Sequence, residues 1–207
     1  MRKFFRRLVL VLITSLAAYV LWPRSPSLSA FRPDRIEAFR IEAIGDARAD
    51  KTWASLVPLY RIFQEEFRFP PVAAAQCAWE TSRALRFYLD SADNADRERA
   101  LAPLEKMFEI MRRQIGVGFE PAVAARLELS CWMLAGDMRK ETQLRAAIAE
   151  KLALLHGGSA SEFAAAAAAF AKADRLVMMK NQHAAREAGV SAWRRLSEQL
   201  KRQGGGE

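Results

Sequence analysis

The side chains that could do chemistry in this chain are few and far apart. Its 207 residues hold two histidines, His156 and His183, and two cysteines, Cys77 and Cys131. His156 abuts Gly157-Gly158, where a helix should end and an imidazolium would suit the helix dipole. His183 sits in the polar run KNQHAARE. Neither has a cysteine or carboxylate at ligand spacing, so both read as surface histidines, and no metal or other cofactor is expected. The Glu-x-x-His of a di-iron bundle, a P-loop, G-x-S-x-G and H-E-x-x-H are all absent from the sequence.

Cys131 shares an apolar stripe with Ala124, Leu127 and Leu134, and Cys77 lies on a stripe with Ala74, Ala78, Thr81 and Tyr88. Both thiols are therefore expected in the core, free or bridged to each other. Glu128 stands out because it interrupts PAVAARLELSCWMLA (121–135), a segment apolar nearly all round. A carboxylate there must be paired or protonated. Arg83, on the similarly apolar 72–89, is the expected partner, with Glu80 one turn away. These residues imply a structural ion pair rather than catalysis.

The elements that must position them are all helical. Val, Ile and Thr are sparse, Ala, Leu, Arg and Glu abound, and no segment alternates as a strand would. Ile36, Phe39, Arg40 and Ala43 form a stripe over 34–47. Leu56, Leu59, Phe63 and Phe67 do so over 52–68, with Pro58 expected to start or kink that helix. Helices are further predicted over 71–89, 96–115, 121–135 and 138–156. Asp137 is the expected cap of the last of these, and Ser159-x-x-Glu162 a capping box for the next. Ser191 is read as the cap of a final helix carrying Trp193, Leu196 and Leu200. The predicted fold is all-α: a compact bundle of about six to eight antiparallel helices over 34–202, or a short tetratricopeptide-like solenoid, followed by a flexible tail at 203–207.

The N-terminus carries an address. Residues 8–22, LVLVLITSLAAYVLW, are uncharged and follow Arg2, Lys3, Arg6 and Arg7. As a helix they span about 22 Å, against a hydrocarbon core of about 30 Å. Tyr19 and Trp22 suit an interface, and the preceding cluster places the N-terminus inside. Residues 1–22 thus read as a signal anchor in the cytoplasmic membrane, with 23–33 (PRSPSLSAFRP) as linker and the domain outside. Cleavage after Ser27-Leu28-Ser29 would instead release a periplasmic or secreted protein. The net charge of +8 is concentrated here: residues 1–30 hold five Lys/Arg and no acid, and the rest 27 Lys/Arg against 24 Asp/Glu. Charges of both signs alternate along the domain, so nucleic acid is not an expected partner.

Three stretches, SRALRFYLDSADNADRERALAPLEKMF (82–108), AARLELSCW (124–132) and RLVMMKNQHAAREAGVSAWRRLSEQL (175–200), resemble a family of uncharacterised bacterial all-helical proteins with an N-terminal membrane segment. This sequence departs from that pattern at Ile44-Gly45-Asp46, where aromatics would stand. The resemblance implies a helical fold and no activity. The expectation is a membrane-tethered, non-catalytic interaction or structural module with a protein partner. The alternative is a periplasmic or secreted ligand-binding bundle, which a closed internal cavity touching Glu128 would favour, whereas a groove lined by exposed aromatics would favour the interaction module.

Overall fold

A computed structural model describes residues 25–91 and 93–204. The apolar run 8–22 and residues 205–207 of the expected tail lie outside the described residues. Among the described residues there is no strand, and no helix is long and apolar enough to cross a membrane.

Three helices begin on a proline at their first position, where the fixed φ fits and no N–H is needed. They are α1 (Pro33–Arg48), α3 (Pro71–Asp90) and α5 (Pro121–Ala135). Between the first two, α2 (Thr52–Arg61) carries Pro58 inside it and widens into a π turn at Ile62–Glu66. The amide of Phe67 closes that turn on the Ile62 carbonyl at 3.0 Å. The predicted helix over 52–68 is thus nearly right in extent and wrong in winding, because a missing Pro58 donor already loosens the ladder one turn earlier.

A turn capped by Asp93 (Asn94–Arg97) and a 3-10 turn (Glu98–Ala100) lead into α4 (Leu101–Ile115), which Gly116 ends at φ 70°. Asp137 does cap, accepting from the Arg139 amide at 3.0 Å, but it caps a 3-10 turn that precedes α6 (Glu141–His156). The Ser159–Glu162 capping box forms as read and opens the approach to α7 (Ala164–Met178). Ser191 is not a cap. The last helix, α8 (Gln182–Gly204), starts nine residues earlier, where the Asn181 side chain accepts the Ala184 amide at 3.2 Å. Gly189, which would ordinarily weaken a helix interior, lies mid-helix and buried. A Cβ there would overlap the carboxylate of Glu37, so the glycine is the gap into which that side chain fits.

Each helix packs on its neighbours in the chain, and α8 returns to pack on α1. The eight helices of the described residues therefore close into a ring, which sets this bundle apart from an open solenoid, whose first and last helices stay separate. Residues 27–31 of the linker are held as well. The Ser27 amide donates to the Phe67 carbonyl at 3.0 Å, and Leu28 and Phe31 are buried. The Arg32 amide donates to Glu66 at 2.8 Å, and the Arg32 and Arg35 guanidiniums pair with the same carboxylate. Burial raises the Glu66 carboxyl above its ordinary range, an effect that Arg35 partly offsets.

Candidate functional site

Between the helices of the ring lies a cavity of about 290 Å³, half open to solvent and lined from all eight helices of the described residues. That volume is about twice that of an engineered apolar cavity that takes up benzene, and close to the lower end for small-molecule sites. Most of the wall is apolar, with Ile36, Phe63, Leu85, Met111, Ile148 and Phe170 among its residues. One sector is different. Arg40, Glu128, Cys131, Trp132, Lys151, Asp174 and Trp193 bring charge and hydrogen-bonding groups to the cavity.

Two ion-paired groups make up this sector. In the first, Arg40 on α1 grips Glu37 one turn back with both arms of its fork: Nε to Oε2 at 2.9 Å and Nη2 to Oε1 at 2.8 Å. Its third nitrogen, Nη1, reaches Asp174 on α7 at 2.7 Å. Trp193 Nε1 on α8 donates to Glu37 at 3.1 Å, with Phe31 and Phe170 both edge-on to the indole. Glu37 is fully buried. In the second group, Glu128 on α5 accepts from Lys151 Nζ on α6 at 2.7 Å and from Trp132 Nε1 at 2.8 Å. Tyr88 on α3 donates to the Trp132 carbonyl at 2.7 Å and stacks edge-on with its ring.

Electrostatics locks these groups in place. Burial alone would lower the proton affinity of Arg40, but the Glu37 and Asp174 carboxylates outweigh it and hold the guanidinium above its ordinary value. Lys151 likewise resists burial through Glu128 and is held above the ordinary lysine value. Neither cation can give up a proton near neutral pH. Burial pushes the Cys131 and Cys77 thiols up to about 12, so neither forms the thiolate that nucleophilic chemistry requires. Both cysteines are free and fully buried rather than bridged. No cluster among the described residues could hold a metal ion.

The expected Glu128–Arg83 pair does not form. Arg83 bonds Glu80 on its own helix at 2.8 Å and is 40% exposed, whereas Glu128 faces α6 and pairs with Lys151. The reason lies in the ring order, which packs α5 along α4 and α6, while α3 meets it at Tyr88, beyond the reach of Arg83's own pair with Glu80. Seen from sequence, Lys151, Asp174, Glu37 and the two indoles were missed, although some signals were available. Arg40 falls on the apolar stripe of α1, Lys151 falls three residues after Ile148, and Trp132 sits one turn from Glu128. A charge inside an apolar stripe marks a buried partner across the bundle.

No family profile, curated sequence or solved structure matches the chain. What the site does must therefore come from its own chemistry.

His156 is half-buried rather than a charged surface residue, and lines the same cavity beside the Phe163 ring. Burial lowers its pKa to about 4, so it is a neutral imidazole at physiological pH. The unfolded chain binds that proton near pH 6.5, and the folded chain does so only near pH 4. Its contribution to stability is thus complete above about pH 6.5 and is lost as the pH falls toward 4. Between pH 7.5 and pH 5 the wild type should lose about 1–2 kcal/mol more than His156→Gln does in urea unfolding. Parallel losses in the two proteins would show that the imidazole titrates normally.

Proposed function

We propose that the chain is a membrane-tethered, non-catalytic helical module that binds a mainly apolar small molecule inside its ring. The observation that carries this reading is the cavity: eight helices border a half-open space that none of their side chains fills. Its wall chemistry supports binding over catalysis. A hydrolytic or transfer site needs a group poised to exchange a proton near neutral pH, whereas Arg40, Lys151 and Cys131 are held protonated and His156 is held neutral. The polar sector fits an orienting role, since a few fixed polar groups in an apolar cavity set which way a ligand lies. The tether is read in the uncharged run 8–22, and the Arg/Lys cluster before it supports a domain outside the cytoplasm.

The full chain, solubilised in mild detergent, should bind the fluorescent apolar probe N-phenyl-1-naphthylamine at one site. Ala43→Met and Ala135→Met each push atoms from the wall into the cavity, and should weaken that binding about tenfold or more while leaving the fold intact. Equal affinity in wild type and both variants would place the probe elsewhere and sink the reading.

A further inference from the structure

The outward face of α2 and α3 is apolar where a surface should not be. Trp53 and Trp79 are 74% and 43% exposed, and their rings meet at 5.8 Å. Val57 on α2 and Val72 on α3 are more than half exposed. Ser55 and Ser82 set the two helices side by side with a buried contact at 3.0 Å, so their outer stripes form one surface. Trp53, Ala54, Val57 and Arg61 line one stripe; Val72, Ala75, Gln76, Trp79 and Arg86 line the other. Charge on this face is mixed with a small positive excess. Among the described residues from 50 to 90, the exposed cations are Lys51, Arg61, Arg68 and Arg86. The exposed acids there are Asp50, which lines the same hollow as Lys51, Trp53, Trp79 and Arg86, Glu65, shared between Arg35 and Arg61, and Asp90, which pairs with Arg86 at 3.3 Å.

Where the chain leaves the domain limits what can meet this face. Ser27 is pinned to Phe67, next to Arg68 and Val72. From Trp22 to Ser27 the chain can stretch at most about 18 Å. Given the tether proposed above, that end of the face stands within 18 Å or so of the bilayer. Exposed indoles sit best at the headgroup level, and each Lys or Arg near an anionic surface adds about 1 kcal/mol of attraction. We propose that the α2–α3 face lies on an anionic lipid surface, with Trp53 and Trp79 at the headgroup boundary and Lys51, Arg61, Arg68 and Arg86 against the phosphates. This inference rests on the tether and goes beyond it, because a tether alone leaves the orientation of the domain free.

The test uses the full chain carrying Trp22→Phe, reconstituted at one copy per nanodisc in lipids with brominated acyl chains and a third phosphatidylglycerol. Carbonate treatment of parallel vesicles reports the tether on its own. Retention is expected, and release would overturn tether and docking together. In the nanodiscs, bromolipid should quench part of the indole emission, and Trp53→Gln/Trp79→Gln should abolish that part. Lys51→Ser/Arg86→Ser keeps both indoles and should weaken the engaged state by tenfold or more, as should replacing phosphatidylglycerol by phosphatidylcholine. A retained chain with no quenching attributable to Trp53 and Trp79 would overturn the docking while sparing the tether. Protection of the two indoles only at two copies per disc would assign the face to a second copy. Protection only on adding a soluble protein would assign it to a protein partner. Either result would overturn the lipid proposal.

Discussion

Replacing Arg40 by Met should destabilise the domain by about 3–5 kcal/mol, a large share of the 5–15 kcal/mol typical of a domain. The guanidinium is the cation for two carboxylates, one of them fully buried. Its removal leaves Glu37 with only the Trp193 indole as a donor among the contacts described above. The loss comes mostly from the stranded anion rather than from the missing contact, and a second substitution separates the two. Glu37→Gln in the Arg40→Met background removes the stranded charge and keeps an acceptor for Trp193, so it should restore about half of the loss or more. Urea unfolding of the four proteins gives the coupling directly. Losses that simply add would mean that Glu37 and Arg40 contribute independently and do not act as a pair.

The second large effect concerns Glu128. Glu128→Ala strands Lys151 and takes the acceptor from Trp132, which should lower stability by about 2–4 kcal/mol, toward the low side of the buried-pair range because both side chains reach partial solvent exposure. The double change Glu128→Met/Lys151→Met leaves nothing charged to strand and should lose much less. Arg83→Ala, at a half-exposed pair within one helix, should stay within about 0.5 kcal/mol. If Arg83→Ala and Glu128→Ala were equally damaging, the partner assignment in the ring would be wrong.

These contrasts show what could be read along the chain and what could not. Helix positions follow local chemistry, so Pro71, Pro121, Gly116, Gly157 and the Ser159–Glu162 box mark ends that the fold keeps. The start of α8 was missed because Gly189 and the polar KNQ run look like a break. Only the Glu37 carboxylate, which is on another helix, explains why a glycine belongs there. Burial of Cys77, Cys131 and Glu128 follows from stripe position, but the partner of Glu128 depends on which helices are neighbours. That information is global: nothing local in 121–135 says that α6 rather than α3 packs along it. The ring closure of α8 on α1, and with it the cavity, is likewise invisible to a periodicity that reports one helix at a time. The Trp53–Trp79 pair was hidden for a related reason, since an indole on a helix reads as core until the packing shows it outside.

Native mass spectrometry of the full chain, drawn from its own membrane in mild detergent, shows whether the ring holds a ligand. A one-to-one complex with a mainly apolar small molecule is expected, lost in Ala135→Met and regained by the wild type on adding back the extracted molecule. A wild-type chain that flies at its bare mass, and takes up no apolar probe, would contradict it.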